Sequence, residues 1–248
     1  MNKQLMATLV LGLSVSTGAN AALIARDGGM VYDDVNNITW AADASLFQTQ
    51  AASNPNLVSE IIAANGGVIH DTPNLFDTVP DSGVYSLTSA DFDTGTGTMT
   101  WWGAQAWANN LTLGGVTGWT LPSTADAANS SNIGYNITTS QMGDLFYNQL
   151  GVSADSSIAT STNPNYNLLT NVKSSLYWSG SEYAPLPYNA WLFYTSNGFQ
   201  TINGKRNNYY AWAVHAGDVA AVPLPGAVWL FLSGLIGFMG LKRRTNIR

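Results

Sequence analysis

Cysteine is absent from all 248 residues, and with it go disulfide staples, thiolate metal sites, thiol nucleophiles and redox switching. Charge is scarce too: Asp, Glu, Lys and Arg together make up 10% of the chain. Only His70 and His215 could serve as an imidazole base. No Gly-x-Ser-x-Gly elbow accompanies them and no His-Glu-x-x-His pair occurs, so the serine-hydrolase and zincin signatures are missing. Ordinary hydrogen-bonded histidines are the expectation, and no catalytic residue is expected. No internal repeat is evident, and long apolar runs are confined to the two ends.

At the first end, Lys3 supplies a positive region, residues 5–15 an apolar one, and Ala19-Asn-Ala21 a small-x-small cleavage site. This predicts a signal peptide over 1–21, a mature chain from Ala22, and secretion. At the other end, Val222-Pro223-Leu224-Pro225 precedes 16 uncharged residues, 226–241, and then Lys242-Arg243-Arg244. As a helix that run is about 24 Å long at ~1.5 Å per residue. It is somewhat short for a hydrocarbon core of ~30 Å, with reach added by residues 219–222 and by snorkelling of Lys242. Trp229 and the basic cluster suit the two interfaces and set the C-terminus in the cytoplasm; the alternative is a buried C-terminal core helix. A proline motif, an apolar helix and an arginine cluster in this order resemble the PEP-CTERM sorting signal. The resemblance implies a Gram-negative exported protein, held briefly in the inner membrane through residues 226–241. An exosortase-type membrane protease would then process it for the cell surface or the extracellular matrix.

Between the ends, four cations (Arg26, Lys173, Lys205, Arg206) stand against all 15 acids, a net charge of −11. A domain this acidic does not bind nucleic acid or anionic lipid through bulk charge, although it could take up divalent cations. Abundant Asn, Ser, Thr, Gly, Trp and Tyr fit a β-rich, loop-rich extracellular composition.

Met30-Val-Tyr-Asp33 and Ile38-Thr-Trp-Ala41 read as a hairpin. Asn54-Pro55 reads as the start of a helix with Leu57, Ile61 and Ile62 on one face, ended by Gly66-Gly67. An irregular insertion is expected over about 66–90. Thr100 is a plausible cap for a helix carrying Trp101, Trp107 and Leu111, with Gly114-Gly115 ending it and residues 116–122 leaving as a strand. Thr138 or Thr139 can cap a second helix with Met142, Leu145, Phe146 and Leu150 on one face. Residues 153–174 read as a surface loop. Strands follow over 176–183, over 190–195 and 199–202 across Ser196-Asn-Gly198, and over 209–214.

Several blocks of this body, taken together, resemble one family. They are Met99-Thr-Trp101, Ala104-Gln-Ala-Trp107, Gly114-Gly-Val-Thr-Gly-Trp119-Thr-Leu-Pro122, Met142-Gly-Asp-Leu-Phe146, Tyr177-Trp-Ser-Gly-Ser-Glu182-Tyr183 and Asn207-Asn-Tyr-Tyr-Ala-Trp-Ala-Val214. The chain is similar to the Lcl C-terminal-type domain over roughly 28–218. The resemblance implies an α+β, C-type-lectin-like domain related to the formylglycine-generating-enzyme fold, with two helices and a twisted antiparallel sheet. The expected organisation is thus a signal peptide (1–21), this domain (22–218) and a sorting tail (219–248). Three departures stand out: Thr120 and His215 lie where relatives often place arginine, and the cysteine pair of relatives is missing. Copper chemistry of the formylglycine-generating kind is excluded without cysteine.

Some relatives bind glycans or sulfated polysaccharides, and in lectin-like folds loops of the sheet hold the ligand. Two loops here suit that role. One carries Glu182, Tyr183 and Tyr188 in a proline-rich connection; the other carries Asn203, Lys205, Arg206 and Asn207, two cations flanked by amides. The alternative for the second loop is a solvated hairpin turn. Asp91-Phe-Asp93-Thr-Gly95-Thr-Gly97 alternates carboxylates with glycines, as a weak calcium site or simply a tight turn. No other cofactor is expected. Trp102, out of step with Trp101 and Trp107, is the tryptophan expected at the surface. The expectation is a non-enzymatic protein that binds polysaccharide or another surface ligand. The alternatives are a self-associating matrix protein, or an exopolysaccharide hydrolase using Asp91, Asp93 and Glu182, two of which would have to face one cleft ~5–10 Å apart.

Overall fold

Asp33 turns the chain back on itself at the first predicted hairpin. Its Oδ1 accepts hydrogen bonds from the Val35 and Asn36 amides at 3.1 and 3.0 Å, the Asx geometry that starts a tight turn. In the computed structural model, which describes residues 23–219, this turn joins β2 (Met30–Asp33) to β3 (Ile38–Ala41), with β1 (Leu23–Arg26) paired to the far side of β2. Helices α1 (Leu46–Ser53) and α2 (Leu57–Ala64) follow, then the hairpin of β4 (Val68–His70) and β5 (Val84–Ser86). A second short hairpin, β6 (Phe92–Asp93) and β7 (Thr98–Met99), leads into α3 (Trp101–Asn110). Helix α4 (Gln141–Asp144) widens into a π turn over Leu145–Gln149. Strands β8 (Leu176–Glu182), β9 (Asn189–Tyr194) and β10 (Gln200–Gly204) form an antiparallel meander, and the last strand, β11 (Val214–Ala216), pairs with β3.

The result is a mixed helix-and-sheet domain with four antiparallel sheets, ordered β1-β2-β3-β11, β10-β9-β8, β4-β5 and β6-β7. The expectation of two helices and one sheet is therefore corrected to four helices and several sheets. The added helix α1 was missed because it lacks a clear apolar stripe: only Leu46 and Phe47 of its eight residues are buried. Within the supposed irregular insertion the chain makes the β4-β5 hairpin, whose three-residue strands are too short to show a period. Ser140, rather than Thr138 or Thr139, caps α4, its side chain accepting from the Gly143 amide at 3.0 Å. Residues 116–122 form no continuous strand and make two isolated bridges, Val116 to Leu113 and Thr120 to Val214.

Helix α3 lies at the centre, buried on most sides, because small residues (Gly103, Ala104, Ala106, Ala108) alternate with Trp101, Trp102 and Trp107. Thr100 caps it as expected. The described tryptophans fill the core, and all but Trp40, whose buried Nε1 has no partner among the described residues, spend their one donor on the protein itself. Trp101 Nε1 donates to the Ser179 carbonyl, Trp107 to Gln50, Trp178 to the Met99 carbonyl and Trp212 to the Ala41 carbonyl, all within 2.7–2.9 Å. These bonds tie α3 to α1 and to β8, and β3 to the closing segment. Among the described residues no helix is long and apolar enough to cross a membrane. The signal peptide (1–21), the proline motif, the helix at 226–241 and the basic cluster fall outside the described residues.

Candidate functional site

The two loops singled out from sequence leave the β8-β9-β10 meander at the same end, because β8 enters the first loop and β10 the second. The first folds back tightly: the Leu186 amide donates to the Tyr183 carbonyl, and the Asn189 amide to that of Leu186, both at 2.9 Å. Tyr183 stands edge-on to Trp191, ring centres 5.6 Å apart. The Lys205 amide donates to the Tyr188 carbonyl at 3.0 Å and so fastens the second loop to the first. In the second loop Asn203 Oδ1 accepts from the Gly204 amide and from Asn207 Nδ2, and Asn203 Nδ2 donates to the Tyr209 hydroxyl. Much of the amide capacity expected for a ligand is thus spent in shaping the turn.

Lys205 corrects the expectation most. The sequence places it in a ligand-binding loop or else a solvated turn, but it has no exposed surface. Its Nζ donates to Asp71 Oδ2 at 2.6 Å and to Glu182 Oε1 at 2.8 Å. It also sits 4.4 Å from the ring centre of Trp101 and 5.7 Å from that of Trp102. A buried ammonium requires such pairing, since an uncompensated charge in a dry interior is prohibitive. Trp102 is likewise fully buried rather than exposed: it stacks on Tyr85 at 3.8 Å and donates Nε1 to Asp71 at 2.8 Å. Of the two loop cations, Arg206 alone reaches solvent, its guanidinium 4.2 Å above the Phe76 ring. Phe76 in turn meets Tyr188 edge-on at 6.3 Å.

Three participants, Asp71, Phe76 and Tyr85, were missed from sequence. Asp71 and Phe76 belong to the loop 71–83, which docks on the meander through the Thr72 amide, a donor to Glu182 Oε1 at 3.1 Å. Asp77 holds this loop in shape by accepting from the Asn74 and Gly83 amides. A lysine in the company of tryptophans hints at a buried carboxylate partner. Nothing local identifies one lying 134 positions away.

Asp91 and Asp93, the weak cation candidates, face different donors. Asp91 is buried and accepts from Tyr85, Thr88 and Thr100. Burial, and then the Asp91 charge, push the Tyr85 phenol well above its ordinary range, so it stays protonated and donating. Asp93 is exposed at the β6-β7 turn, where the Thr96 and Gly95 amides hold its carboxyl below the usual carboxylate range. Among the described residues no three acids or histidines are grouped to hold a metal ion. His70 is exposed at the end of β4. His215 packs edge-on against Trp119, and its Nδ1 has no hydrogen-bond partner among the described residues.

A mixed α+β domain with a tryptophan core, presenting paired loops at one end of a three-stranded meander, is the class these features define. The chain belongs to the Lcl C-terminal domain family, whose model matches residues 29–215. This membership suggests a secreted or surface-associated protein. No curated protein and no solved structure gives a significant match.

Proposed function

We propose that the protein is exported through its N-terminal signal peptide, transiently anchored by residues 226–241, and processed at its PEP-CTERM-like tail by an exosortase-type protease. At the surface or in the matrix its C-type-lectin-like domain binds a polysaccharide or similar hydroxyl-rich ligand without catalysing a reaction. The observation that carries this reading is the convergence of Tyr188, Phe76 and exposed Arg206 on the rim where the two loops are fastened together. Aromatic faces suit the C–H surface of a sugar ring, and a guanidinium fork suits its oxygens. With Lys205 neutralised inside the domain, the rim carries little positive charge, which favours an uncharged glycan over a sulfated one.

A glycan array probed with the processed protein tests this. Binding to neutral glycans is expected, weakened at least tenfold, about 1.4 kcal/mol, by Arg206→Ala or Tyr188→Ala. No binding by folded monomer would discard the lectin-like reading in favour of self-association. Release of reducing ends from a bound glycan would make the protein a hydrolase instead. Mass spectrometry of the protein outside the cell should find Lys242-Arg243-Arg244 removed.

A further inference from the structure

The surroundings of Lys205 hold more than an ion pair. Its ammonium and the carboxyl of Asp71 are enclosed together, with side-chain exposures of 0% and 1%, and Glu182 forms the third wall. The two oxygens of Asp71 are unequal. Oδ2 collects three donors: Lys205 Nζ at 2.6 Å, Trp102 Nε1 at 2.8 Å and Asn74 Nδ2 at 3.2 Å. Oδ1 is buried and has no hydrogen-bond partner among the described residues. One oxygen therefore sits in a cradle of N–H groups, where negative charge developing on it is stabilised, and the other is held by nothing. An amine in contact with a buried carboxyl and with a second, partly exposed carboxylate, beside two tryptophan rings, supplies the parts needed to form an amide.

We propose that Lys205 and Asp71 become joined, after folding, by an intramolecular amide (isopeptide) bond, with Glu182 as the proton shuttle. Glu182 takes a proton from the ammonium and passes it to Asp71 Oδ1, so that a neutral amine meets a neutral carboxyl, and the freed Nζ lone pair forms a bond to Asp71 Cγ. Charge gathers on Oδ2, facing the Trp102 and Asn74 N–H groups. The Cγ–Oδ1 bond then breaks and Oδ1 departs as water. That water carries two of the three ammonium protons, both relayed by Glu182, and the third stays on the amide nitrogen. One positive and one negative charge disappear, Glu182 is regenerated, and no oxidant, cofactor or activated group is consumed. The bond ties the loop 71–83 to the segment after β10 across 134 positions. In a chain with no cysteine it supplies the covalent staple that exported domains commonly take from disulfides.

Intact-mass measurement and peptide mapping of the folded protein test this. The expected result is a mass one water below that of the processed sequence, a branched peptide joining Asp71 to Lys205, and no tryptic cleavage after Lys205. Glu182→Gln is expected to restore the full mass, with the two segments on separate peptides. If that variant does not fold, the wild-type map still decides. Recovery of Asp71 and Lys205 on separate peptides, at undiminished mass, from folded wild-type protein overturns the proposal and leaves an ion triad. A bond that forms equally well in Glu182→Gln overturns the shuttle role.

Discussion

Asp91 accepts from the Thr100 hydroxyl at 2.8 Å, and its own carbonyl lies where a side chain on Gly103 would begin, 2.5 Å from a Cβ placed there. Both contacts depend on α3 approaching the β6 segment closely, and each supports a prediction about a single side chain. Gly103→Ala must push backbone against backbone. A loss of about 1–3 kcal/mol is expected from overpacking, read as a lower urea midpoint at unchanged slope. Thr100→Ala removes the helix cap and one of the Asp91 donors together, so it is expected to cost about 1–2 kcal/mol, whereas Thr100→Ser should recover most of that loss. The cap was readable from sequence, because a threonine before an aromatic-rich helical pattern has few other uses. The close approach at Gly103 was not, since glycine in a helix says only that something comes near.

Among the elements, those with a long regular pattern or a strong turn signal were legible. The β2-β3 and β9-β10 hairpins and helices α2 and α3 lie within a residue or two of where their patterns place them. Helix α4 was placed but not its π turn, which carries the buried Gln149 to within 3.4 Å of Asp33 and 3.2 Å of Asp144. That geometry answers to residues far off in sequence. The edge strand β1 is held to the segment after β11 by Arg26, whose guanidinium donates twice to Asp218 at 2.7 Å. This pairing lowers the Asp218 carboxyl below its usual 3.8. A carboxyl lowered in the folded state contributes stability above its unfolded value and loses it as pH falls through the folded one. Melting curves of wild type and Asp218→Asn are therefore expected to differ near neutrality and to converge as pH drops below 3.8. The difference should also shrink in high salt, because the pair is exposed.

At the scale of the whole molecule, the dominant fact is how the interior is filled. Among the described residues seven tryptophans are essentially inaccessible, as is Lys205, whose ammonium lies against the rings of Trp101 and Trp102. The sheet order β1-β2-β3-β11 closes the domain by bringing its last strand beside its third, so loosening of either end is felt in the core through Trp40 and Trp212, whose rings meet at 5.2 Å. Trp102→Phe reaches across several of these contacts at once: it takes a donor from Asp71, part of the stack on Tyr85 and part of the Lys205 cage. Under the amide-bond proposal it should slow bond formation as well as lower stability, and a time course of intact mass after refolding separates the two effects.

The amino-acid sequence by itself determined the family, the aromatic core, the principal hairpins and the absence of thiol chemistry, because each depends on residue type and local spacing. Which polar groups face solvent was decided by tertiary structure alone. Lys205 and Trp102 read as surface groups from their neighbours in the chain, yet burial depends on what other segments lay over them. Here that cover is the loop 71–83, whose Asp71 supplies a charge and a hydrogen-bond acceptor in one carboxylate.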